Sequence, residues 1–336
     1  MKSMWSEREA ASYVKRYGKQ GVNADLALRV YTSRLLGQEP RLVLHGGGNT
    51  SVKTVMPDHL GEETDVLCVK GSGWDMGDIE PAGLPAVRLG PLQKMVGLKK
   101  LSDEAMVNAQ RVNLLDASSP NPSVETLLHA FLPHKFIDHT HSNAVLALTD
   151  LKDGEAICRE LWGDRFGYVP YIMPGFDLSK KALAVFRQDE DVEGLILLKH
   201  GIFTFGATAK EAYQRMIRAV TEAEKRARAG AKKSFAQRRL PAQAASASDV
   251  APILRGMTTH DGKPLIFDFR TSKAIRDYVG GKDLARYGQQ GTVTPDHVIR
   301  TKAKPLIVPA PEAGKLDRFH AAAEKAVASY VADYEA

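Results

Sequence analysis

The sequence predicts an α/β fold with a small α/β lobe appended towards its carboxyl end, and three observations carry that expectation. Apolar runs of strand length at 143–149 and 194–200 alternate with helical patterns at 179–186 and 207–228, the signature of helices layered on a sheet. Residues 240–249, Leu-Pro-Ala-Gln-Ala-Ala-Ser-Ala-Ser-Asp, have the composition of a linker. Beyond them, 262–269 and 304–309 read as short strands. Residues 316–336 read as an amphipathic helix, with Phe319, Ala323, Ala326, Tyr330 and Tyr334 spaced by three and four. The expected division is a main domain at 1–230, a basic and Ala/Ser-rich linker at 231–250 and the lobe at 251–336. Periodicity leaves open whether the sheet is parallel.

Along the chain, the first element able to carry chemistry is Arg41-Leu-Val-Leu-His-Gly-Gly-Gly-Asn-Thr-Ser51, a short apolar strand that breaks into glycines and small polar residues. Glycines let backbone amides approach an anion, and Asn49, Thr50 and Ser51 add donors. Val66-Leu-Cys-Val-Lys-Gly-Ser-Gly-Trp-Asp75 repeats the plan with Lys70 beside it. Neither has the Walker or dinucleotide glycine spacing, and each alone reads as a tight turn as readily as an anion site. Pro120-Asn-Pro-Ser-Val-Glu-Thr-Leu-Leu-His-Ala-Phe131 reads as a helix opening, with Ser123 near its N-cap and Glu125 in its first turn. Glu125 there either complements the helix dipole or takes part in chemistry. His129, one turn on, is a partner to such a site or a core histidine. The two glycine turns and the Ser123 helix end together outline a phosphate or carboxylate pocket.

Two histidines one residue apart, His139 and His141 in Phe136-Ile-Asp-His-Thr-His-Ser-Asn143, point to a metal. On an extended strand they project to the same face while Thr140 points away. His200, at the end of the 194–200 run, supplies a third imidazole. Three nitrogens leave one coordination position open, the pattern of catalytic rather than structural zinc.

Composition excludes several classes. The chain has 336 residues and only two cysteines, Cys68 and Cys158, too few for a disulfide framework, and cytoplasm is the default location. The amino terminus carries charges where a signal peptide needs an apolar run, and no uncharged apolar stretch is long enough to span a membrane. The net charge of +6 resides in one run, residues 225–239, which holds seven basic residues and no acidic one. A cationic helix end leading into a solvated linker accounts for it without nucleic acid, because no aromatic residues are interleaved for stacking.

The order Gly-Gly-Gly-Asn-Thr-Ser, Lys-Gly-Ser-Gly, Ser-x-Glu-x-x-x-His, His-x-His and a distant His-Gly resembles the class II aldolase/adducin family over about residues 22–226. The resemblance implies a three-layer α/β/α fold with an antiparallel-rich central sheet. It implies zinc held by His139, His141 and His200, Glu125 as catalytic acid/base, and Gly47, Gly48, Asn49, Ser72 and Ser123 around a substrate phosphate. Val124 stands where the fuculose-phosphate aldolase branch has a second serine. Some branches form homo-oligomers in which a neighbouring subunit contributes a tyrosine proton donor, for which Tyr168 and Tyr171 are the candidates. The match is closer to the amino-terminal half of bifunctional rhamnulose-1-phosphate aldolase/short-chain dehydrogenase proteins. Thr294-Pro-Asp-His-Val-Ile-Arg-Thr-Lys302 resembles a segment of that subfamily beyond the aldolase core, with His297 read as structural. The expected activity is zinc-dependent cleavage of a ketose 1-phosphate, rhamnulose 1-phosphate foremost, to dihydroxyacetone phosphate and an aldehyde. Related branches epimerise, dehydrate or decarboxylate, and adducin-type scaffolds keep the fold without a working metal site. By the same resemblance a covalently linked dehydrogenase domain is expected to follow this chain.

Overall fold

The computed structural model describes residues 1–230, 236–259 and 261–336. The chain forms two compact units, Met1–Ala231 with Val293–Thr301, and Lys232–Thr292 with Lys302–Ala336. In the first unit lie α1 (Glu7–Gly18), α2 (Ala24–Gly37), β1 (Asn49–Pro57), β2 (Glu63–Val69), β3 (Ala86–Arg88), α3 (Leu89–Lys94), α4 (Asp103–Val112), α5 (Thr126–Phe131), β4 (Phe136–Thr140), α6 (Asn143–Thr149), α7 (Gly154–Trp162), β5 (Phe166–Val169), α8 (Phe176–Phe186), β6 (Gly194–Leu197), β7 (Gly201–Gly206) and α9 (Ala209–Gly230). The seven strands make one sheet in the order β3-β2-β1-β4-β7-β6-β5. All its pairings are antiparallel except β5 with β6, which settles the question that periodicity left open.

Alternation along β1 and β4 makes the sheet two-sided. Thr50, Asp138 and Thr140 face the layer formed by α2 and α9, where Thr50 meets the Ser33 hydroxyl at 2.7 Å and Thr140 meets Met216. Asn49, Ser51, Ile137 and His139 face the other way, towards the layer of α5 and α8. The pairing register places Asn49 directly opposite His139. Three layers therefore result, helix on sheet on helix, as the family resemblance implies.

Behind the centre of the sheet, Arg29 and Asp138 form an ion pair at 2.5 Å in which both side chains are fully buried. Arg29 also donates to the carbonyls of Ser51 and Ile137, pinning β1 to β4 from behind. Removing one partner strands the other charge in the core. Asp138→Ala is expected to destabilise the fold by about 3–5 kcal/mol, read from the urea midpoint, whereas an exposed pair such as Arg159–Glu155 should contribute under about 1 kcal/mol.

Residues 143–149 are helical, not the expected strand. An apolar run of this length fits either period. Here Val145, Leu148 and Thr149 are buried while Asn143, Ala147 and Asp150 are exposed, a spacing of three and four. The helix expected from Ser123 starts later, at Thr126, so that Glu125 is its N-cap residue.

The second unit contains α10 (Ala247–Met257), α11 (Lys273–Val279), α12 (Leu284–Tyr287) and α14 (Leu316–Glu335), with α13 (Pro295–Arg300) belonging to the first. A capping box between Ser246 and Asp249 starts α10 inside the stretch read as linker. The strands expected at 262–269 and 304–309 are absent. Neither segment forms a strand: among the described residues of this unit β pairing is confined to isolated bridge positions, such as Gln237–Gly281 and Ala244–Glu312. Without a neighbouring edge, β-branched and aromatic residues do not make a strand. Ile266 is 97% exposed. Of the basic run 225–239, residues 231–235 lie outside the described residues; Arg228 pairs with Glu224 one turn back. No described helix is long and apolar enough to cross a membrane.

Candidate metal centre

Strand alternation, one tight turn and one helix start bring the four expected residues together. His139 is the fourth residue of β4, and its ring stacks on Phe203 of β7 with centroids 4.1 Å apart. His141 follows just past the strand end. His200 sits in the turn between β6 and β7, where Lys199 takes a left-handed conformation, φ 60°. Gly201 makes that turn possible, since a Cβ there would lie 2.4 Å from the Thr140 carbonyl oxygen. One nitrogen from each of His139, His141 and His200 lies within 4.8 Å of the others. Glu125 closes the group, with Oε2 3.3 Å from His139 Nε2 and Oε1 3.5 Å from His200 Nε2.

Hydrogen bonding fixes which face each ring presents. His139 Nδ1–H donates to the Ile202 carbonyl at 3.1 Å, and His141 Nδ1–H donates to the Asp296 carboxylate. Both Nε2 atoms are then left with lone pairs, and they face each other at 3.1 Å. Burial pushes His139 well below the usual imidazole range, so a proton between the two is disfavoured. Buried Glu125 Oε1 has no hydrogen-bond partner among the described residues. Converging neutral imidazoles beside an unsatisfied carboxylate oxygen are the donor set a divalent cation requires, and the residues fit one.

Glu125 is held ionised. Burial pushes its carboxyl up, and the Asn49 amide that donates to Oε2 pulls it down; the pull of His139 and His200 adds to this only while either ring is protonated. Asn49 Nδ2 donates to Glu125 Oε2 at 2.7 Å and to Ser123 Oγ at 3.1 Å. This orientation leaves Asn49 Oδ1 to accept from His129 Nε2–H at 2.5 Å, while His129 Nδ1 accepts from the Ser51 hydroxyl at 2.7 Å. His129, left open between site and core, is the buried end of a relay that aims Glu125. The Glu125 side chain makes no helix-capping bond, which counts against a purely dipole role.

The remaining expected residues lie around this group. Gly48, with φ 60°, lets the glycine turn approach the His139 carbonyl. Gly47 leaves room for Asp296: a Cβ there would sit 1.6 Å from Asp296 Oδ1. Ser72 is exposed on a loop tied to the one leading into Ser123, its amide donating to the Asn121 carbonyl at 2.7 Å. Lys70, singled out only as a neighbour of that loop, is buried and donates to the Gly46 carbonyl at 2.8 Å. Burial pushes it down to about 8, against the pull of Asp75 and Asp296. Tyr168 is elsewhere: its hydroxyl donates to the carbonyls of Cys158 and Gly163 in the opposite layer. Tyr171 is exposed. His297 bonds the Thr294 hydroxyl within its own helix end, a structural role. Sequence reasoning missed Asp296, whose only signal was its place in the Thr294–Lys302 run.

This fold with three converging histidines defines a class, and comparison with known proteins places the chain in it. Residues 27–226 match the Class II Aldolase and Adducin N-terminal domain, and residues 245–336 match the second domain of class II aldolases. The chain belongs to the class II aldolase and adducin family. The N-terminal class II aldolase domain of a conserved protein from Thermoplasma acidophilum is 40% identical, with a TM-score of 0.60, covering 67% of this chain and 98% of that one. A sugar-phosphate aldolase from Thermotoga maritima is 18% identical, with a TM-score of 0.45 over 61% of this chain and 97% of its own. A Bacillus subtilis protein named Uncharacterized oxidoreductase YuxG is 31% identical over all of this chain and 48% of its own length. The chain thus spans about half the length of the curated relative it matches.

Proposed function

We propose that the protein is a zinc-dependent lyase that cleaves a ketose 1-phosphate, with rhamnulose 1-phosphate the leading substrate, to dihydroxyacetone phosphate and an aldehyde. The observation that carries this reading is the facing pair of Nε2 lone pairs on His139 and His141, with His200 and the ionised Glu125 beside them. When bound there, a divalent metal supplies Lewis-acid stabilisation of negative charge developing on the ketose oxygens. Imidazole ligands suit zinc, and also cobalt or iron.

Glu125, aimed by Asn49 and His129, exchanges the proton at the carbon that loses its bonding partner. The substrate phosphate is taken beside the Gly46–Gly48 turn by the Ser72 and Ser123 hydroxyls, the Gly47 amide being committed to the Leu44 carbonyl, and Lys70 adds charge beneath the turn. No Schiff-base lysine is needed: the amines of Lys70 and Lys53 are both committed to backbone carbonyls. Tyr171 remains the tyrosine able to serve a neighbouring copy of a homo-oligomer. The unmatched half of the longer Bacillus relative supports a linked dehydrogenase that disposes of the aldehyde.

A panel of ketose 1-phosphates tests the reading. Triose phosphate should be released from at least one, rhamnulose 1-phosphate first, without added nicotinamide cofactor. Isomerised or dehydrated products with no triose phosphate would transfer the chain to the epimerase or dehydratase branch. No turnover of any of them by the metal-loaded protein would favour a scaffold role.

A further inference from the structure

The segment Val293–Thr301 lies within the stretch that matches the second domain of class II aldolases, yet it packs as part of the first unit. Its helix α13 opens with Thr294 as N-cap and puts Asp296, 3% exposed, against the metal centre. The two carboxylate oxygens have separate duties. Oδ1 accepts the Nδ1–H of His141, and Oδ2 accepts the Leu44 amide at 2.7 Å. Arg300 fastens the other end of the helix by donating to the His45 carbonyl at 2.9 Å. Gly47 provides the space the carboxylate occupies.

We propose that Asp296 is a positioning residue for the metal centre: it fixes the His141 tautomer that presents Nε2, so that a segment from the second-domain stretch completes the first domain's metal site. This rests on the metal reading of the three histidines. His139 is oriented by a carbonyl of its own sheet, but His141 lies past the end of β4, where no ladder partner reaches its ring. A carboxylate accepting the far nitrogen both locks the ring and raises its basicity towards a cation. Gly47 is accordingly required for carboxylate clearance as well as for any anion contact.

Zinc affinity of the full chain, measured by competition with a chromogenic chelator, tests the proposal. Asp296→Ala should weaken binding about 10–100-fold, and the downfield His141 Nδ1–H resonance should disappear. Gly47→Ala should cause a loss of the same order in the native background but add little to Asp296→Ala, because its obstacle is then gone. Native affinity in a folded Asp296→Ala protein overturns the proposal, as do losses that simply add. Should Asp296→Ala fail to fold, Gly47→Ala decides alone, and unchanged affinity there refutes the role. A native chain that binds no zinc refutes the metal reading itself, an outcome distinct from all of these.

Discussion

His139→Ala and His200→Ala should each strip the purified protein of its metal, lowering affinity by more than about a hundredfold. The magnitude follows from comparison with an outer contact: losing a group that only orients a ligand costs about 10–100-fold, and losing the ligand itself must exceed that. The fold should survive both changes. His200 occupies a turn, and its Nδ1 has no hydrogen-bond partner among the described residues, so its truncation breaks no network. His139 contributes one bond to the Ile202 carbonyl and a stacked contact with Phe203, a modest loss to the sheet. Elemental analysis after gel filtration, beside a thermal melt, separates the two effects. Full metal occupancy in both variants would place the ion elsewhere.

Glu125→Gln should lower turnover by about a hundredfold or more, the usual contribution of a positioned acid/base, while leaving the fold intact. The amide has the same shape, and its oxygen can still accept from Asn49. Its nitrogen, however, cannot exchange a proton with substrate carbon at neutral pH. The competing view treats Glu125 as a helix N-terminal charge. That view predicts a lower melting temperature with unchanged turnover per folded molecule. Steady-state rates and a melting curve on one preparation distinguish them.

The centre of this site was legible in the sequence because its geometry is local. His139 lies on β4 and His141 follows one residue past its end, so strand spacing brings the two rings together, and His200 follows an apolar run that does pair in the sheet. The antiparallel sheet and its two helical layers came from the family resemblance, since periodicity says nothing of strand direction. Asp296 was out of reach: it lies 155 residues from His141, and no spacing rule links them. Asn49 was expected near a phosphate, whereas its side chain is spent on Glu125, Ser123 and His129, a bonding pattern set by the β1–β4 register. The errors at 143–149, 262–269 and 304–309 share one cause. Short apolar runs become strands only where a neighbouring edge accepts their hydrogen bonds.

The most direct test of the account is a metal titration of the cleavage reaction. Chelated, metal-free protein is supplied with rhamnulose 1-phosphate, zinc is added in steps, and triose phosphate is followed by coupled reduction. The account predicts no release without metal, then a rate that rises with zinc and saturates at one equivalent per chain. Release that is indifferent to chelation, or saturation of the metal site with no triose phosphate formed, would contradict it.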